Sequence, residues 1–185
     1  MLYLLSPAKS LDYETPTPKA VARLATEPEF IERSTELIGL LRRRSVADVA
    51  ALMDLSEPLA ALNVARYAAW SASFTHANSK PAALAFDGDV YGGLRAQELG
   101  LADLRWAQRH VAILSGLHGV LRPLDSLQPY RLEMGTRLPN PRGADLYAYW
   151  GDTIAAHLNE RMVADASPVI VNLASIEYFR AADRK

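Results

Sequence analysis

Reactive side chains are concentrated in one stretch, His110 to Gly135, which reads HVAILSGLHGVLRPLDSLQPYRLEMG. Arg122, Asp125, Tyr130, Arg131 and Glu133 follow closely in it, and Pro123 and Pro129 stiffen the path between them. Arginine grips an anion through parallel N–H donors, a carboxyl such as Asp125 or Glu133 can move a proton, and Tyr130 can stack on a ring or donate a hydrogen bond. A connection with only a structural role rarely needs so many polar groups on so rigid a path, so the stretch is expected to floor a functional cleft. Matching groups occur in three other places: Ser6-Pro7-Ala8-Lys9, Asp87-Gly88-Asp89, and Asn172 to Tyr178, which includes Ser175 and Glu177. Two carboxylates around a glycine could suit a metal or a hydroxyl-bearing ligand, but Asp-Gly is also the commonest turn chemistry, and the turn is the preferred reading.

Three apolar runs must position these groups. Leu2-Tyr3-Leu4-Leu5 leads into Ser6, Val111-Ala112-Ile113-Leu114 into Ser115, and the run from Pro168 ends at Ser175. Each is short, rich in leucine or β-branched residues, and separated from the next by helical segments. The pattern predicts an α/β protein with a largely parallel or mixed sheet, whose ligand crevice lies beyond the carboxyl ends of the strands. Lys9, Asp87, Arg122, Asp125, Arg131, Glu133, Asn172 and Glu177 are then expected to converge, with Ser6, Asp89, Ser115, Tyr130 and Ser175 lining the cleft. Some of these charges are expected simply to pair with one another.

Helices are read from apolar spacing and capping residues. Thr26 with Glu29 resembles a capping box ahead of Phe30, Ile31, Leu37, Ile38 and Leu41, and that helix would end at Arg42-Arg43-Arg44, where cations complement the helix dipole. Ser45 with Asp48, and Ser56-Glu57-Pro58, start two further helices around a tight turn, over residues 45–70. Residues 9–18 and 71–80 read as loops, and Ala82–Phe86 as a strand. Leu101–Arg109 is expected to be a helix with Leu101, Leu104 and Trp106 partly buried. Asp145–Val163 is expected to be one long helix with Leu146, Trp150, Ile154, Leu158 and Met162 inward.

The bulk properties set bounds. With 185 residues, 50% hydrophobic and 22% charged, the chain reads as one globular domain. The absence of cysteine removes disulfides, thiolate nucleophiles and cysteine metal sites. No apolar stretch is long enough to span a bilayer and the first residues lack signal-peptide character, so a cytoplasmic location with no membrane partner is expected. A formal charge of -1 means that nucleic acid could be held only by a local basic surface.

Four motifs in order, LxSPAKSLD, FDGDVYxGL, LSGLHGVLRPLDSLQPYRLEMG and NLASIEYF, resemble the YaaA peroxide-stress protein family across essentially the whole chain. The resemblance implies a cytosolic bacterial protein induced by peroxide, which limits free iron and protects DNA from oxidative damage. It also implies an unusual α/β fold with a positive cleft and a helix-hairpin-helix that binds duplex or branched DNA with little sequence preference. That element falls on residues 45–70. There Leu59-Ala60-Ala61-Leu62-Asn63 carries alanine where a phosphate-binding turn would carry glycine, and a Cβ hinders close approach of a phosphate. Family members continue well past the NLAS segment, so a C-terminally truncated chain is expected.

Two functions of different class follow. In the first, DNA phosphates are bound by Lys9, Arg42, Arg43, Arg44, Asn63, Arg66, Arg122 and Arg131 without chemistry. In the second, an enzyme acts on a nucleotide, nucleobase or damaged DNA end. Its catalytic candidates are Lys9, Asp125, Glu133 and Tyr178, with Lys9 and Arg122 gripping an anion and Tyr130 or Tyr178 stacking or donating. Direct iron binding by Asp87, Asp89 and Glu133 with His110 or His118 ranks last, because no paired-ligand spacing supports it; no cofactor or metal is expected.

Overall fold

A computed structural model describes residues 1–163 and 168–183. At its centre is a four-stranded sheet built from β1 (Leu2–Leu5), β2 (Val111–Ser115), β3 (Gly119–Leu121) and β4 (Ile170–Asn172). The spatial order is β3-β2-β1-β4. The register aligns Leu4 with Ala112 on one side and with Asn172 on the other, and both pairings of β1 are parallel. All five residues of β2 are buried, as its unbroken apolar run requires of a strand covered on both faces. β4 forms an edge, and its residues are exposed or half-buried.

β3 makes the sheet mixed, within the expectation of a largely parallel or mixed sheet. Ser115-Gly116 does end β2, but the chain then turns through Leu117 and His118 and returns antiparallel, pairing Ser115 with Gly119 and Ile113 with Leu121. Gly119 makes this reversal possible. Its φ of +67 suits a residue without a Cβ, and a Cβ there would lie 2.8 Å from the ring of Trp150, which is itself fully buried. The indole Nε1–H of Trp150 donates to the carbonyl of Gly116 at 2.9 Å, which fixes the turn against the helix Leu146–Trp150.

Helices supply the crossovers that parallel pairing demands. Leu37, Ile38 and Leu41 of the helix Ile31–Leu41 are buried, as the spacing predicts. Its start differs: no side chain caps it, and Thr26 instead bridges to Asp125, so the capping box at Thr26 and Glu29 does not form. The box at Ser45 and Asp48 does form, with Asp48 N–H donating to the Ser45 hydroxyl and Ser45 N–H to the Asp48 carboxylate. It opens Val46–Met53, which a three-residue turn joins to Glu57–Ala69. Asp54 in that turn is left-handed, with φ 52.

Three further expectations are corrected. Ala82–Ala85 is one helical turn between the short strands Lys80–Pro81 and Phe86–Asp87, because its backbone N–H groups at 82 and 83 are taken by the carbonyls of Asp125 and Pro123. The long helix breaks at Gly151, φ +50, into Leu146–Trp150 and Thr153–Met162. Trp106, on the helix Leu101–His110, is 48% exposed, resting against Tyr3 and stacked on His110 instead of entering the core.

Candidate functional site

The three parallel strands end at the same edge of the sheet, so Ser6, Ser115 and the segment leading to Ser175 meet there. Ser175 N–H donates to the Ser6 hydroxyl at 2.9 Å, and the two hydroxyls are 3.4 Å apart. Ser115 lies deeper. It is fully buried, pairs with the Tyr130 hydroxyl at 2.7 Å and accepts the His118 N–H at 2.9 Å, so it supports the cleft from beneath and does not line it.

Beyond these tips lies a small cavity of about 70 Å³, lined by the loop after β1, the segment Tyr130–Glu133 and the helical turn Ile176–Phe179. A wider hollow of about 350 Å³ shares Glu133 and Glu177 with it and reaches Asp54 and the end of Val46–Met53. Charges meet at the boundary. Glu133 is 3.3 Å from the Lys9 ammonium and 2.8 Å from the Arg131 guanidinium, and Glu177 accepts the Gly135 N–H at 2.7 Å. Tyr130 and Tyr178 close the inner wall. Burial pushes both phenols well above their ordinary pKa, and for Tyr178 the neighbouring Tyr130 adds to the rise. Both therefore stay protonated at neutral pH, as neutral hydroxyls able to donate as well as accept a hydrogen bond.

A second cationic group flanks this wall. The Tyr67 hydroxyl donates to the Arg131 carbonyl, and its phenol feels both Arg66 and Arg131. Arg66 is half-buried, and burial lowers its pKa. Its side chain has one long bond, 3.4 Å to the Asn63 Oδ1, and no carboxylate partner among the described residues. Asn63 is fully buried, with its amide donating to the Leu59 carbonyl, so it cannot reach a phosphate. Ala60 and Ala61 also prove to lie inside the helix Glu57–Ala69 and not at the turn, which is Asp54-Leu55-Ser56. That turn carries Asp54 and Glu57 at the helix start, charges that oppose a phosphate.

The other expected members disperse. Arg122 and Asp125 follow β3, so the reversal carries them to the opposite end of the sheet. Asp125 is 1% exposed and is held by Arg122 at 2.8 Å and by the Thr26 hydroxyl at 2.6 Å; it can neither meet the strand tips nor exchange protons there. Arg42 caps the helix Glu57–Ala69 by donating to the carbonyls of Tyr67, Ala68 and Trp70, whereas Arg43 is exposed. Arg44 lies close enough to Asp48 to lower that carboxyl's pKa, after the larger effect of Ser45. Asn172 is exposed and accepts the Ala174 N–H at 3.0 Å. Asp87, paired with Ser10 in a short antiparallel ladder, lines a separate hollow of about 110 Å³ with Asp12, Tyr91 and Arg95, and Asp89 stands exposed on the next helix.

The iron reading loses its geometry for the same reason. His110 is against the Met1 carbonyl at the far end of β1, and His118 is buried beside Ser34. Among the described residues, no three His, Asp or Glu side chains come together in a way that could hold a metal ion. Sequence reading missed a hollow of about 500 Å³ between the loop at Thr15–Thr17 and the turn at His76–Ser79. Its only signal was a pair of loops rich in Pro, Thr, Ser and Asn, 60 residues apart by number alone.

A mixed α/β sheet with a charged hollow beyond the carboxyl ends of its parallel strands is the class that this fold and site define. The comparisons specify it further: the chain matches the model of the peroxide stress protein YaaA over residues 1–185, and it belongs to that family. It is 66% identical over 184 residues to a UPF0246 protein of Methylibium petroleiphilum, covering 100% of this chain and 70% of that protein. It is 62% identical to UPF0246 proteins of Leptothrix cholodnii and Paracidovorax citrulli, covering 100% and 99% of this chain and 70% of each relative. No helix among the described residues is long and apolar enough to cross a membrane.

Proposed function

We propose that this member of the peroxide stress family binds DNA through its phosphate backbone, with little regard to sequence, at the face beyond the strand tips, and so shields it from oxidative damage in the cytoplasm. The observation that carries the reading is Arg66, which stands beside the Tyr67–Arg131 contact without a carboxylate partner among the described residues, while Lys9 and Arg131 share Glu133, Glu177 already accepts a backbone N–H and Asp54 lies at the outer rim. A guanidinium left half-buried without a carboxylate favours an anion from outside. Arg43 is exposed, while Arg42, Asn63 and Arg122 are structural. The link to free iron is proposed as part of the same response.

Binding of duplex DNA measured across salt concentrations tests this. Each phosphate contact releases counterions, so affinity falls steeply with salt, and Lys9→Ala or Arg66→Ala lowers the slope of log K against log salt by about 1. Arg42→Ala with its fold intact leaves that slope unchanged. Affinity independent of salt, or equal in Lys9→Ala, Arg66→Ala and the parent, refutes the reading.

One arrangement favours the enzymatic alternative, action on a nucleotide, nucleobase or damaged DNA end: Lys9 and Glu133, 3.3 Å apart, share a small cavity with two protonated phenols. Glu133→Gln that keeps DNA affinity but loses peroxide protection would decide for chemistry.

A further inference from the structure

The hollow between the loop at Thr15–Thr17 and the turn at His76–Ser79 is far larger than the strand-tip cavity and shares no lining residue with it. Both of its rims are rigid. On one side the Asp12 carboxylate accepts the N–H groups of Glu14 and Thr15, each at 2.9 Å. The buried Lys80 ammonium locks the same turn from below, donating to the carbonyls of Asp12 and Thr15 at 2.9 Å and pairing with the Asp12 carboxylate at 3.2 Å. These bonds, led by the Thr15 N–H, hold the Asp12 carboxyl down at about 2, so its charge persists throughout the physiological range. On the other side Asn78 spans its own turn, accepting the Thr75 N–H at 2.8 Å and donating to the Ser73 carbonyl at 2.9 Å. Proline at 16 and at 81 stiffens both walls.

The side chains facing this space are one-sided in charge. Lys19, Arg23 and His76 line it, and no carboxylate does. All three are exposed, and among the described residues none makes a side-chain hydrogen bond or ion pair. The Tyr13 ring forms part of the wall and is fixed there, its hydroxyl donating to the Leu127 carbonyl at 2.5 Å. A volume of about 500 Å³ exceeds the needs of a bare inorganic anion and falls within the range of small-molecule sites.

We infer that this hollow is a second binding site, which takes the phosphate monoester of a small molecule of mononucleotide size. Lys19, Arg23 and His76 grip the phosphate, and the body of the ligand rests on Tyr13 and the prolines. Arginine and lysine together supply the planar fork and the point charge suited to a dianionic group. The pre-set rims mean that little ordering is needed on binding. The site shares no lining residue with the strand-tip cavity, although Tyr13 feels Tyr130 and Arg66 on that side, so either assignment can fail without the other.

The test is calorimetric titration of the 185-residue chain with inorganic phosphate, adenosine and AMP. AMP is expected to bind saturably and more tightly than either part alone. Lys19→Ala/Arg23→Ala weakens AMP about tenfold or more, the loss expected when charge-assisted bonds of this kind are removed. Both side chains are exposed, so circular dichroism should show an unchanged fold, and Lys9→Ala should bind AMP as the parent does. The proposal is overturned if AMP does not bind saturably, if adenosine binds as well as AMP, if the double variant keeps its affinity, or if Lys9→Ala abolishes binding.

Discussion

Removing the Asp125 carboxylate separates the structure's account from the sequence expectation most sharply. This carboxylate accepts the Arg122 N–H at 2.7 Å, the Arg122 Nε at 3.0 Å and the Thr26 hydroxyl at 2.6 Å, and pairs with the Arg122 Nη2 at 2.8 Å. The knot extends further. Gln108 donates to the Thr26 hydroxyl at 2.9 Å and accepts the Leu124 N–H at 2.7 Å, while Thr26 N–H bonds the Leu124 carbonyl and Ser126 N–H the Thr26 carbonyl. Asp125→Ala leaves a half-buried hydroxyl and a backbone N–H without their acceptor, and a guanidinium that keeps the Glu27 carbonyl but loses its carboxylate. Loss of one partner of a buried ion pair costs about 3–5 kcal/mol. The Arg122 side chain is 32% exposed and recovers part of its hydration, which places the cost near the lower end, about 3 kcal/mol. For a chain of this length that is a drop in melting temperature of roughly 6–12 °C. Thermal and urea unfolding measure it, alongside DNA affinity at a temperature where both proteins are folded. The expected result is a destabilised protein with unchanged affinity and peroxide protection once folded. Unfolding midpoints that coincide, or lost function at equal stability, would refute the argument and return Asp125 to the role of proton carrier.

Two further predictions concern the reversal after β2. Gly119→Ala combines a left-handed backbone with a Cβ 2.8 Å from the immobile Trp150 ring, so it should lower stability by about 3 kcal/mol in urea unfolding, whereas Gly39→Ala, with nothing within 4 Å, should be neutral or better. His118 makes one ring hydrogen bond, between Nδ1 and the Ser34 hydroxyl at 2.9 Å, and its Nε2 has no partner; burial holds its pKa down at about 3, against 6.5 unfolded. The folded imidazole is thus neutral while the unfolded one takes up a proton. Its contribution is complete above pH 6.5 and declines as pH falls from there toward 3, by about 1.4 kcal/mol per pH unit. Urea unfolding of the parent and His118→Asn at several pH values isolates it: the variant should show a flatter acid limb, and identical slopes would contradict the neutral buried ring.

Local rules carried much of the design. Apolar runs of strand length marked β1 and β2, helical spacing marked the buried face of Ile31–Leu41, and Ser45 with Asp48 formed its capping box because every partner lies within three residues. The serines at the strand ends announced a shared edge, and Ser6, Ser175, Lys9, Arg131, Glu133 and Glu177 do meet there. Where Arg122 and Asp125 belong was not legible, because it hangs on a reversal whose cause is distant: Gly119 yields to Trp150, some thirty residues on, and the returning strand takes both charges to the far end of the sheet. Thr26 likewise left its expected cap for a carboxylate 99 residues away.

The sequence by itself determined that short buried strands would lie parallel and present charged groups at one edge, since periodicity and breakers act on neighbouring residues. Only the tertiary structure decided which charges share a space, which tyrosines stay protonated, and that two capped turns 60 residues apart enclose a cationic hollow. Those outcomes depend on desolvation and on pairing between segments distant along the chain, and neither quantity exists until the chain has closed on itself.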